Sequence, residues 1–273
     1  MPPNFVRFEQ QLRTSRVRII RYWMSRLFGA RLQKSQRLYF VDVHGQRYKR
    51  IVLRDSRLAE RIQMALERFG DSDLFPRLIT TYEHEVWVEF VDGERIDRVD
   101  ELSVRAVAEF YARVYARAPQ QVRLVDTVFA ARLHRVLRFL AEVGVLDEVR
   151  AKELHAVADR LAPERVWVGF DYTDPVLKNF VMSRRTGRVC AVDVESLECD
   201  HLLGFGLGKA FARWLEPHRE LFLKCLAESG APDLAQNLPY AELCFLAFWT
   251  KMGFLEQKWH YVDRERFARF GDA

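Results

Sequence analysis

Along the first hundred residues the apolar positions fall into short runs. "RLYFVDV" and "RYKRIVL" are rich in Val, Ile, Tyr and Phe and flank the Gly-containing "HGQ", so Leu38 to Leu53 reads as a β-hairpin. In "DSRLAERIQMALERF" the spacing changes to that of a helix. Leu58, Ile62, Ala65, Leu66 and Phe69 share one face, Asp55 or Ser56 stands at the N-cap position, and the pattern stops at Gly70. Two further strands follow, Leu78 to Tyr82 and Val86 to Val91, with Glu83-His84-Glu85 between them and Asp92-Gly93 closing the second. Ahead of all this, residues 5–28 mix apolar side chains with arginines. Their first half suits an amphipathic helix, and "RVRIIRYW" could equally be a strand.

After Asp97 the pattern becomes one of long helices, over 101–117, 127–142, 147–161, about 204–228 and 239–258, with a strand at 165–170. A β-rich front and an α-rich back predict an α+β chain in two lobes with a connector near 91–96. The division expected is a basic N-terminal segment at 1–36, an N-lobe with its hinge at 37–95, and a C-lobe at 96–273.

Composition changes this picture at one end only. Residues 1–50 hold twelve Arg or Lys against two acids, a net +10, while the remainder carries 31 basic against 36 acidic residues, a net −5. The front segment is therefore expected to meet something anionic: a membrane surface, a phosphorylated glycan or a nucleic acid. The net acidic remainder disfavours nucleic acid. Four irregularly spaced cysteines and seven scattered histidines form no zinc-type spacing, so the thiols read as reduced and no His/Cys metal cluster is expected. With no run of 18 apolar residues and no secretory pattern, a cytoplasmic location is expected, with peripheral contact on the cytoplasmic face of the inner membrane, through residues 1–36, left open.

Candidate chemistry concentrates in "YTDPVLKNFVMSRRTGRVCAVDVES", Tyr172 to Ser196. Asp174 and Asn179 lie five residues apart in a Pro-containing loop, and Asp193 follows fourteen residues later at the end of an apolar run. The Thr186-Gly187 turn folds "NFVMS" and "RVCAV" into a hairpin, which brings Asn179 and Asp193 to the same end. An Asp that orients an acceptor hydroxyl, followed by an Asn and an Asp that hold Mg²⁺ on nucleotide phosphates, is what phosphoryl transfer requires, and oxygen ligands suit that hard cation. Asp and Asn are also common turn formers.

The stretch resembles the catalytic and metal loops of the protein-kinase-like superfamily, in particular its aminoglycoside phosphotransferase-like and lipopolysaccharide-core-kinase-like branches, where a pattern like H-G-D-x-x-x-x-N, a β-hairpin and I-D-W/F-E run in the same order. "VWVEFVDGERI" is similar to the hinge of those families, and the strand and helix order of 37–92 to their N-lobe. The resemblance implies a two-lobed fold, with a small β-rich N-lobe carrying one main helix and a larger, mostly α-helical C-lobe. It further implies ATP and Mg²⁺ as cofactors, Asp174 as catalytic base, Asn179 and Asp193 as metal ligands, and Glu195 as the acid after the metal Asp. Lys178 would neutralise the transferring group. Backbone of Glu89, Phe90 and Val91 would meet the adenine, and Glu60 would pair with the cation that grips the phosphates, for which Lys49 and Arg54 compete.

The sequence departs from the pattern in three places. Tyr172 stands where His is usual, Arg54 is no simple stand-in for lysine, and no G-x-G-x-x-G exists, so that "RLFGAR" or "VHGQR" would have to cover the phosphates. Two functions follow. The first is a kinase that phosphorylates a hydroxyl of a saccharide, glycolipid or other small molecule. The second is a catalytically weak or inactive kinase-fold protein that binds nucleotide or partners. The acceptor's identity is not legible.

Overall fold

The computed structural model describes residues 37–258, 260, 262 and 265–270. The basic segment 1–36, and with it "RLFGAR", lies outside the described residues. Chain contacts divide the molecule into two compact units, one of residues up to Ile96 plus Lys178–Glu195, the other of Asp97–Leu177 plus the chain from Ser196. The hairpin segment that the sequence reading groups with the C-lobe thus packs within the first unit.

In the first unit, β1 (Arg37–Val43) and β2 (Gln46–Val52) form the expected hairpin. Its turn is tight, with His44 at φ 47° and Gly45 at φ 87°. β3 (Leu78–Tyr82) and β4 (Glu85–Glu89) complete an antiparallel sheet of order β1-β2-β4-β3. Helix α1 (Ser56–Glu67) is capped by Asp55, whose side chain accepts the Leu58 N–H, and it buries Ala59, Ile62, Ala65 and Leu66 against β3 and β4.

A second sheet, of order β5-β8-β9, belongs to the same unit: β5 (Gly93–Arg95), β8 (Phe180–Ser183) and β9 (Val189–Ala191). The sequence reading treats Asp92-Gly93 as a turn and 91–96 as a connector; the structure makes Gly93–Arg95 a short strand. Glycine is required there, because a Cβ on Gly93 would stand 2.2 Å from the Met182 carbonyl oxygen. The β8–β9 hairpin is the one expected, with Gly187 at φ 66° in its turn.

The second unit is mainly helical: α2 (Glu101–Tyr115), α3 (Phe129–Glu142), α4 (Glu148–Leu161), α5 (Phe205–Ala210), α6 (Arg219–Glu228) and α7 (Asn237–Leu255). The single helix expected over 204–228 is instead interrupted by a π-helical turn at Phe211–Leu215 and a 3₁₀ turn at Glu216–His218 that contains Pro217. Proline supplies no N–H and clashes with a preceding carbonyl, so a continuous helix is not available. A small antiparallel sheet of order β10-β7-β6 supports the helices: β6 (Gln120–Arg123), β7 (Arg165–Tyr172) and β10 (Leu197–Leu202). Its core gathers Leu137, Leu140, Leu154, Val166, Leu202 and Leu243, all essentially buried. Among the described residues no helix is long and apolar enough to cross a membrane.

Candidate functional site

In the first unit a cavity of about 320 Å³ is lined by Lys49 of β2, the strap Glu89–Val91 after β4, Gly93 and Arg95 of β5, and Lys178, Asn179, Val181, Val192 and Asp193 of the β8–β9 segment, with Leu38 and Phe40 of β1 on its apolar side. β1 pairs with β2 in a register that sets Phe40 opposite Lys49, and β4 sets Val88 opposite the same lysine. Sheet pairing therefore fixes where the lysine enters. Phe40 and Phe90 meet edge to face with ring centres 5.7 Å apart, forming an apolar wall.

Of the two competing cations, Lys49 lines this cavity and Arg54 does not. The Lys49 side chain is nearly buried, and Nζ donates to the Val192 carbonyl oxygen at 2.6 Å and stands 3.9 Å from the Glu195 carboxylate. Arg54 does not compete. β2 ends at Val52, and the Arg54 side chain is 79% exposed and paired with its neighbour Asp55 at 3.3 Å. The pairing expected of Glu60 is also corrected. Glu60 is exposed on α1, away from the buried positions Ala59 and Ile62, and the carboxylate beside Lys49 is that of Glu195. Burial pushes the Glu195 carboxyl up to about 7, with the Lys49 charge pulling it back and Asp193 raising it further.

Asn179 and Asp193 meet at the hairpin's open end, as the apolar runs require. The Val192 N–H donates to the Asn179 carbonyl oxygen at 2.8 Å, and the Asn179 side-chain amide lies 3.4 Å from an Asp193 carboxylate oxygen. Asn179 is buried, whereas Lys178 beside it is exposed. Two oxygen-bearing side chains on one cavity wall fit Mg²⁺, which takes one or two protein ligands and completes its shell with phosphate and water. Among the described residues no cluster of three or more His, Cys, Asp or Glu side chains could hold a metal by itself.

At the strap, the N–H groups of Glu89 and Phe90 are committed to the carbonyls of Arg77 and Arg47, at 2.9 and 3.2 Å. A base edge lying along the strap would use carbonyls there and the N–H of Val91.

In the second unit β7 ends in Asp171 and Tyr172, followed by the loop that carries Asp174. Asp171 is fully buried, accepting the Tyr115 hydroxyl at 2.8 Å and the Gly206 N–H at 2.7 Å. Burial raises its carboxyl to about 7 in spite of these donors. Tyr172, in place of the usual His, is fully buried edge-on to Phe110, and its carbonyl accepts the Tyr111 hydroxyl at 2.8 Å. The loop itself is tied on both sides of Asp174. Thr173 N–H and Oγ1 donate to the Ser196 carbonyl at 2.8 and 3.1 Å, and Trp214 Nε1 donates to the Pro175 carbonyl at 2.7 Å. Asp174 forms an ion pair with Lys209 of α5. The sequence reading missed Lys209, since nothing local in "GFGLGKAFARW" marks it out.

No family model and no curated protein matches the sequence. Solved structures do match the fold. A macrolide 2'-phosphotransferase type I superposes with a TM-score of 0.62 at 13% identity, covering 93% of this chain and 97% of that one. The choline kinase LicA from Streptococcus pneumoniae gives 0.63 at 14% identity, covering 92% and 96%. A thermostable mutant of the aminoglycoside phosphotransferase APH(4)-Ia, in a ternary complex with ADP and hygromycin B, gives 0.62 at 13% identity, covering 92% and 98%. The chain thus shares the fold of these phosphotransferases and of this choline kinase, with a β-rich N-terminal region and a helical C-terminal part.

Proposed function

We propose that this chain is an ATP- and Mg²⁺-dependent phosphotransferase acting on a hydroxyl of a small molecule, with a saccharide or a lipopolysaccharide-core-like glycolipid as the acceptor class. The observation that carries the reading is the cavity of the first unit, where Lys49, the Glu89–Val91 strap, Asn179 and Asp193 line one volume. Leu38, Phe40 and Val181 offer apolar contact to a base, Lys49 a buried cation to phosphate, and Asn179 and Asp193 hard oxygen donors to a cation. Mg²⁺ held there would neutralise phosphate charge. The solved structures of the same fold are named for small acceptors, among them macrolides, aminoglycosides and choline.

Asp174 is assigned as base by its place in the chain, five residues before Asn179. In that role it takes the proton of the acceptor hydroxyl as the hydroxyl oxygen bonds to the γ-phosphorus and the bridging P–O bond to ADP breaks. Lys178 is exposed on the cavity wall, and in this reading its charge would offset that of the moving group. The role of the basic segment 1–36 as a contact for an anionic membrane surface rests on sequence alone.

The experiment is release of ADP from MgATP by the full chain, compared with Asp174→Asn and Asp193→Ala after both variants are shown to be folded. Loss of turnover in both supports the reading. Equal turnover in all three proteins sinks it and leaves a nucleotide-binding module without catalysis.

A further inference from the structure

Asp174 does not stand alone in its loop. Lys209 forms an ion pair with its Oδ1, and the same ammonium lies 4.4 Å from the centre of the Trp249 ring. Both contacts lie within the helical unit. The Lys209 side chain is only 11% exposed against 33% for Asp174, and the Asp174 Oδ1 is closed to solvent. A lysine head group is almost never held this deep unless it is paired, because the lost hydration has to be replaced. Here a carboxylate and an aromatic face replace it.

The backbone on each side of the pair is anchored. α5 is pinned to β7 by the Gly206 N–H bond to Asp171, and the close packing at Gly208, where a Cβ would stand 3.0 Å from the Phe245 Cβ, seats the same turn against α7. Across from it, Thr173 and Pro175 are bonded on either side of Asp174. With both backbones fixed, one Asp174 oxygen is committed and the orientation of the carboxylate is set.

We infer that Lys209 is a positioning residue for Asp174. By holding Oδ1 it turns Oδ2 toward the acceptor hydroxyl, so that the base is aimed before the acceptor arrives. The inference rests on the phosphotransferase reading given above.

The test is a double-mutant cycle in the full chain, with MgATP as substrate and water as acceptor. Lys209→Met is expected to lower kcat by about tenfold or more while the KM for ATP stays within about twofold, and Lys209→Arg to recover most of the loss. On an Asp174→Asn background, Lys209→Met is expected to change the residual kcat no further, since its effect passes through that carboxylate. An equal loss on both backgrounds, or a rise in KM that accounts for the whole effect, overturns the inference. Because Lys209 is buried, Lys209→Gln serves as the second variant, keeping a donor in the same space. Thermal unfolding of the four proteins reads the pair without turnover: strictly additive changes in Tm overturn the inference as well. If Asp193→Ala turns over ATP like the wild type, it is the phosphotransferase reading that fails, and the Tm cycle still reports whether Lys209 and Asp174 are coupled.

Discussion

The buried carboxylate of Asp171 accepts the backbone N–H of Gly206 at 2.7 Å, and a Cβ at Gly206 would stand 2.0 Å from the Tyr172 carbonyl oxygen. The close approach and the hydrogen bond are one device. Only a residue without a side chain lets α5 come near enough to β7 to donate to Asp171. Gly206→Ala is expected to cost about 3 kcal/mol, since the obstructing atom is backbone and cannot rotate away. Urea unfolding measures the loss; a variant within 0.5 kcal/mol of wild type, roughly the surface-substitution range, would show that α5 is not held by this contact.

Asp171 also gives a pH dependence with a defined sign. Its folded carboxyl titrates at about 7 against an ordinary 3.8, so between those values the folded state binds the proton that the unfolded state has lost. Stability from this group is therefore lost as pH rises from about 4 to about 7. His201, whose Nδ1 stands 3.9 Å from Asp171, is pushed by burial from 6.5 to about 4 and acts oppositely, its contribution rising with pH over that span. The two slopes offset each other in the wild type between 4 and 6.5. Asp171→Asn removes one of them, so stability relative to wild type is expected to increase with pH by up to about 1.4 kcal/mol per unit. Unfolding at pH 5 and pH 6.5 checks this, and a constant difference would refute it.

What could be read in the sequence was local. The β8–β9 hairpin follows from two apolar runs and a Thr-Gly turn, and that alone brings Asn179 to Asp193. The choice between Lys49 and Arg54 was not local, because it depends on β2 ending at Val52, where its last pairing is with Glu85 of β4. The resemblance implies Glu195 as the acid after Asp193, but its approach to Lys49 joins positions far apart in the chain and no periodicity announces it. The strand Gln120–Arg123 is not legible in the sequence for a different reason. It is a mostly exposed edge of its sheet, so it lacks the apolar signal by which strands are recognised. Pro217, by contrast, was in plain sight as a reason to break the helix at 204–228.

A second non-local feature sits in the first unit. Arg50 and Glu85, both buried, form an ion pair across β2 and β4, and Trp87 Nε1 donates to the same carboxylate at 3.2 Å. Glu85→Ala strands a buried guanidinium and is expected to cost about 3–5 kcal/mol, whereas replacing both partners by leucine is expected to cost far less. Comparing single and double variants by denaturant unfolding separates the strength of the pair from the penalty of leaving one charge alone. Additive losses in the double variant would contradict the pairing.

For nucleotide binding, the burial of Lys49 and the exposure of Arg54 predict opposite outcomes for like substitutions. Lys49→Met is expected to weaken ATP binding by roughly tenfold to a hundredfold, the worth of a charge-assisted contact to phosphate. Arg54→Met should leave affinity within about twofold, as for an exposed pair of little energetic weight. Isothermal titration reads both, and a larger loss for Arg54→Met would reverse the assignment.

The metal assignment has a signature that does not require an acceptor. A ligand that binds only the folded state raises stability as the logarithm of its concentration over its Kd. If Asn179 and Asp193 hold a cation against nucleotide phosphates, ATP raises the Tm of the wild type more with Mg²⁺ than with a chelator present. The Asn179 side chain meets Asp193 at 3.4 Å, so each of Asn179→Ala and Asp193→Ala takes away one oxygen ligand and the neighbour that orients the other. Both variants are expected to give the smaller, chelator-like ATP shift whether or not Mg²⁺ is added, while Lys178→Ala, which touches no cation in this scheme, keeps the Mg²⁺ increment. An increment retained in Asp193→Ala would place the cation elsewhere.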